Sequence, residues 1–237
     1  MPVVEVMKPK VPARTRRLLD APPMRYTRSQ MTDRPPISRG FRGRRRPEGR
    51  SARVPPGQHL VNDFPVLSAG PTPSTNLEAW TFALQEGGSL LGKWTWAEFQ
   101  ALPQTTVVVD IHCVTTWSKL DTEWQGVTID ALLAAAGLAE PPAPFAMIHC
   151  DGGYTTNLPV EDLIGGKAMI ATRYDGEPLS PDHGGPARLL VPHLYFWKSA
   201  KWARRLRFID DDEPGFWESN GYHMYGDPWH EQRYTGD

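Results

Sequence analysis

Val107-Val108-Val109-Asp110-Ile111-His112-Cys113-Val114-Thr115-Thr116-Trp117-Ser118-Lys119 is the stretch on which the fold turns. Three valines and an isoleucine are β-branched and favour a pleated backbone over a helix. Residues 107–113 are therefore a predicted strand. Its period of two puts Val107, Val109, Ile111 and Cys113 on one face and Val108, Asp110 and His112 on the other. The polar run Val114 to Lys119 reads as a loop, and strand ends that open into loops are where binding residues gather. Cys113 stands at that junction. A thiolate there can be a nucleophile or a soft metal ligand, and a thiol can equally be a small buried hydrophobe.

Working outward, Trp80-Thr81-Phe82-Ala83-Leu84 is a predicted strand. Thr95-Trp96-Ala97-Glu98 is a capping box that opens a short helix ended by Pro103. Asp130 to Ala136 is a short helix closed by Gly137. Phe145 to Cys150 is a strand that turns at Gly152-Gly153. Pro159 starts a short helix that Gly165-Gly166 ends. Ala168 to Tyr174, Arg188 to Pro192 and Lys201 to Ile209 are further strands. The tail after Pro214 is aromatic without a period, either the rim of a pocket or a packed lid. Mixed sheets with short helices and a loop-rich C-terminal tail make the fold class α+β.

The 237 residues carry 24 Pro, 21 Gly and 10% aromatics, which suits loops and strands rather than a helix bundle. Net charge is −1, but it is unevenly placed. Residues 1–53 hold 2 Lys and 13 Arg against 4 acids, a net of +11, and the remainder is −12. Residues 1–55 read as a basic Arg/Pro-rich arm, disordered or wrapped on the acidic body, and 56–237 as the folded domain. Within the arm, Arg39-Gly40-Phe41-Arg42-Gly43-Arg44-Arg45-Arg46 resembles segments that bind nucleic acid through phosphate attraction and Arg stacking. Two cysteines are too few for a disulfide framework and suit a reducing compartment. No stretch of about 18 apolar residues exists for a membrane helix. Arg16-Arg17 is followed only by Leu18-Leu19 before Asp20, too little for an export signal. These features predict a cytoplasmic protein without membrane insertion.

Two His-Cys pairs, His112-Cys113 and His149-Cys150, suggest zinc. Strand neighbours point to opposite faces, however, so such a pair could not easily share an ion. Asp151, Glu161 and Asp162 read as solvated charges. The segment from His183 to Trp202 holds a Gly-Gly turn and the cations Arg188, Lys198 and Lys201. That combination suits either an anion-bearing ligand or an exposed basic strand. No Walker loop, dinucleotide fingerprint, GxSxG, HExxH or CxxC motif occurs.

Asp110 to Lys119, Gly153-Tyr154-Thr155-Thr156-Asn157-Leu158-Pro159 and the segment 183–202 together resemble the oxidoreductase molybdopterin-binding domain family. This is the sulfite oxidase fold, in the small bacterial branch that includes the protein-methionine-sulfoxide reductase catalytic subunits. The resemblance covers roughly 56–237. It implies that Cys113 is the protein ligand of one molybdenum, which also takes two dithiolene sulfurs from one molybdopterin. By the same resemblance Arg188, Ser199, Ala200 and Lys201 hold the pterin phosphate. His183, Cys150 and Asn62 match further pterin-contacting positions, and His112, Thr115, Trp117 and Lys119 form the substrate rim.

Departures from the pattern bear on substrate. Thr115 stands where the sulfoxide reductases carry an acid, and His112 where they carry Arg. Val114 to Lys119 holds no Arg, which argues against sulfite. The resemblance thus implies a molybdenum-pterin oxidoreductase that transfers an oxygen atom to or from a small substrate, by sulfoxide or N-oxide reduction or sulfite-like oxidation. No Cys-x-x-Cys-His haem motif occurs, so electrons would pass to or from a separate protein. Two other readings are a non-enzymatic protein whose arm binds nucleic acid or an acidic partner, and a molybdopterin carrier.

Overall fold

The computed structural model describes residues 50–237. The basic arm expected over 1–55, with its Arg-Gly run, lies through residue 49 outside the described residues. Among the described residues eleven strands build two sheets. The first contains β1 (His59–Leu60), β4 (Thr105–His112), β5 (Trp117–Thr128), β8 (Met169–Tyr174), β9 (Glu177–Pro178) and β10 (Arg188–Leu190). The second runs β3-β2-β11-β6-β7, with β2 at Thr81–Glu86, β3 at Ser89–Thr95, β6 at Phe145–Cys150, β7 at Thr155–Pro159 and β11 at Ala203–Ile209.

The strand β4 keeps its expected alternation, with Val107, Val109, Ile111 and Cys113 all packed in one apolar cluster. A register shift between Val109 and Ile111 bends it at Asp110. There Asp110 accepts from Arg53 and from the Asp121 amide.

The stretch after Cys113 is corrected by the structure. Only Cys113 to Thr116 turns, and Trp117, Ser118 and Lys119 begin β5, the longest strand. This strand pairs with β1, β4 and β8, so the backbone of Trp117, Ser118 and Lys119 is held in ladders rather than looped. Gly126 is required in it, because a Cβ there would meet the Ile170 carbonyl at 2.2 Å.

Helix α1 (Trp96–Ala101) has its capping box, with the Glu98 carboxylate accepting from the Thr95 amide at 2.8 Å. Helix α2 (Ile129–Ala135) is capped by Thr128 and buries Ile129, Leu132 and Leu133. A larger cluster around Trp80, Phe82, Phe99, Ile148, Leu206 and Phe208 forms the main core. The tail carries a short α3 (Phe216–Ser219) and closes through a Tyr222–Tyr234 bridge.

Candidate active site

The turn after β4, the β6–β7 loop and the segment 183–202 meet around a cavity of about 530 Å³. That size suits a cofactor or small ligand. Eight of the twelve residues expected to act line it: Cys113, Thr115, Trp117, His183, Arg188, Ser199, Ala200 and Lys201.

Cys113 is 7% exposed. Burial pushes its thiol pKa up, while the Thr115 hydroxyl and, more weakly, Arg233 favour the thiolate. Thr115 Oγ1 donates to Cys113 Sγ at 3.2 Å.

Arg188 begins β10 and is 1% exposed. Its guanidinium donates to the carbonyls of His183 (2.7 Å) and Ser199 (2.5 Å) and lies 4.2 Å from the Phe196 ring centroid. Among the described residues no carboxylate pairs with it, and its buried Nε has no acceptor. Burial lowers its pKa to about 9, so it remains a cation at neutral pH. Lys201 is half-buried, with its pKa lowered to about 8 by desolvation and then by Arg188. Among the described residues no carboxylate forms an ion pair with either cation, although Lys201 donates to the Asp182 carbonyl, and two such cations on one cavity wall suit an anion.

The Gly184 turn brings these cations together. Its φ is +106°, and a Cβ would sit 3.1 Å from both the Arg188 side chain and the Lys201 backbone. His183 stacks on Phe64 at 4.0 Å. With the Phe64 carbonyl accepting from Nε2, Nδ1 is left to accept from Ser180. Both ring nitrogens of His183 are therefore already engaged.

Four expected residues lie off the cavity. His112 follows the period of two to the opposite face from Cys113, where Nδ1 bonds Ser118 Oγ at 2.8 Å and burial lowers its pKa to about 4. Lys119 donates to the Asn62 backbone carbonyl, and neither residue lines the cavity. Cys150 is buried in the main core at the end of β6, its thiol pushed far up by burial.

Two further expectations are corrected. Lys198 is neither anion-binding nor on an exposed strand. It is fully buried and paired with Glu218 at 2.7 Å. Asp162 is not solvated but 5% exposed, accepting from His193 and Tyr225.

Sequence reasoning missed the loop from Phe64 to Pro71, which lines the cavity without any periodic signal. It left the tail open, and Phe216, Trp217 and Tyr222 do form part of the rim.

These residues fit a phosphate-bearing cofactor with a soft metal. One thiol faces the cavity, and the orphaned Arg188 with Lys201 supplies positive charge. Among the described residues no group of three His, Cys, Asp or Glu could hold a metal. A metal at Cys113 would therefore draw its other ligands from the cofactor.

Residues 69–217 match the model of a family described as the oxidoreductase molybdopterin binding domain. YuiH, an uncharacterised oxidoreductase of Bacillus subtilis, is 44% identical over 199 residues, covering 82% of this chain and 98% of YuiH. YedZ1 of Azospira oryzae, named as a protein-methionine-sulfoxide reductase subunit, is 28% identical over 179 residues, 74% of this chain and 67% of YedZ1. Among solved structures, the sulfane dehydrogenase SoxCD of Paracoccus pantotrophus superposes with a TM-score of 0.51 at 22% identity. That match covers 59% of this chain and 40% of the SoxCD chain, and it speaks to fold alone.

Proposed function

The chain belongs to the oxidoreductase molybdopterin-binding domain family, and from that premise we propose that it catalyses two-electron oxygen-atom transfer on a small, uncharged substrate, with Cys113 holding the molybdenum. One observation carries this reading: a buried thiol and an unpaired buried guanidinium line the same cavity. When bound, the molybdenum-pterin group supplies the two-electron change and the exchange of oxygen.

The protein's own residues bind and orient. Arg188 and Lys201 hold the phosphate end, and the Gly184 turn lets the backbone approach it. Trp117, Trp197 and Tyr222 wall the cavity with apolar surface and exclude water. Arg188 and Lys201 are the only Lys or Arg among its described lining residues. With both committed to the cofactor, an uncharged sulfoxide or N-oxide is favoured over an oxyanion such as sulfite.

Residues 56–237 form the catalytic unit in this reading, with 1–55 as an arm. Electrons pass to or from a separate protein in this reading, in keeping with a relative named as a reductase subunit. The cytoplasm is the proposed compartment, in keeping with two unpaired cysteines. No helix among the described residues is long and apolar enough to cross a membrane.

The test is metal and pterin content of protein from a molybdopterin-producing host, beside Cys113→Ala. About one molybdenum and one pterin per chain, with a changed metal spectrum in the variant, supports the reading. Folded protein holding neither refutes it. Turnover of dimethyl sulfoxide or trimethylamine N-oxide over sulfite supports the uncharged substrate, and the reverse order refutes it.

A further inference from the structure

The turn that presents Cys113 is held from several directions. The Cys113 amide donates to the Trp117 carbonyl at 2.8 Å, and the Thr116 amide donates to the Cys113 carbonyl at 3.0 Å. Gln58 Nε2 donates to the Cys113 carbonyl at 3.1 Å, and Arg233 donates to the Val114 carbonyl at 2.8 Å. Thr116 has φ +77°, a left-handed conformation that costs a β-branched residue energy. Such a conformation persists where the surroundings over-determine it. Its effect here is a tight reversal that leaves Thr115 Oγ1 3.2 Å from Cys113 Sγ.

Thr115 has a single hydroxyl proton, and it is directed at sulfur. Toward a substrate this side chain can therefore only accept a hydrogen bond. Among the described residues it is the only side chain that hydrogen-bonds to Sγ. A hydrogen bond to a metal-bound thiolate draws electron density from sulfur, which then donates less to the metal. The reduced, electron-rich metal is favoured as a result, and hydrogen bonding to ligating sulfur is a general lever on potential.

We infer that Thr115 is a positioning residue that acts through Cys113, its hydroxyl raising the midpoint potential of the molybdenum centre. The inference rests on Cys113 being the metal ligand, as proposed above. It gives Thr115 a role in tuning the metal rather than in contacting substrate.

The test uses the loaded full-length chain and three variants: Thr115→Val, which keeps the shape but removes the donor, Thr115→Ala, and Thr115→Ser, which keeps the donor. X-ray absorption first counts the sulfurs on molybdenum. A redox titration followed by electron paramagnetic resonance then gives the midpoint potential. Valine and alanine should both move the midpoint to lower potential and shift the g-values, while serine titrates with the parent. Should valine fail to fold, alanine carries the comparison.

A donor-less variant with full molybdenum content that titrates with the parent overturns the inference. So does a serine variant displaced as far as the valine one. A parent enzyme with two sulfurs on molybdenum, and none from cysteine, removes the ligation and this inference together. A third sulfur with unmoved midpoints removes this inference alone.

Discussion

Arg188 and Lys198 are both buried cations of one short segment, and their surroundings are opposite. Lys198 donates to both Asn157 oxygens and the Met224 carbonyl and pairs with Glu218. Glu218 also accepts from Thr156 and Trp197. Every partner is protein, and three elements are fastened by the cluster: β7, the 183–202 segment and the tail. Among the described residues Arg188 has two carbonyls, two aromatic rings and no paired anion. The first cation is spent on the fold. In the proposed function the second is left for a ligand, and buried charge then points to a binding site only where its countercharge is missing.

The largest effect expected from this contrast is at Glu218. Glu218→Ala strands the Lys198 charge and should cost about 3–5 kcal/mol of stability, read by urea unfolding. The double change Lys198→Met with Glu218→Leu should recover only part of that loss, because it removes the buried charge but leaves Thr156, Trp197 and Asn157 without their partners. A Glu218→Ala protein as stable as the parent would erase the distinction.

Next in size is Arg188→Met. Its apo stability should fall less than that of Glu218→Ala, while affinity for pyrophosphate should drop roughly 10- to 100-fold, since charge-assisted hydrogen bonds are worth about 1.5–3 kcal/mol. Isothermal titration reads this directly. Unchanged affinity would mean the cavity anion lies elsewhere.

The smallest effect concerns Lys201, which is charged below about pH 8. Pyrophosphate affinity in the parent should weaken as pH rises from 7 to 9, and in Lys201→Met the extra pH dependence should vanish. The folded-state value lies below the ordinary 10.5. Between about pH 8 and 10.5 the unfolded chain therefore binds more protons at this group. Lys201 thus adds stability as pH rises through that window, and the parent-minus-variant stability difference should grow there.

The contrast also shows what the sequence could reveal. The Cys113 strand, the Thr95 capping box and the basic segment were legible because each is a local pattern. Arg188 and Lys198 look alike in sequence, because the partner that separates them, Glu218, lies in a tail with no period. Asp162 was misread for the same reason: its partners His193 and Tyr225 are far along the chain. The strand β5 was read as a loop at Trp117-Ser118-Lys119, because membership in a ladder depends on neighbours that only the fold supplies. His112 was placed on the rim although its period already pointed it away from Cys113.

Arg233 donates to the carbonyls of Val114 and Pro56, 119 and 177 positions earlier, and His183 bonds Phe64 across 119. Contacts of such span form late in folding, after the chain entropy of long loops has been overcome. During synthesis the walls of the cavity cannot meet until residues beyond 216 have left the ribosome. The order of assembly is therefore set by topology: the cavity is complete only once walls made far apart along the chain have met.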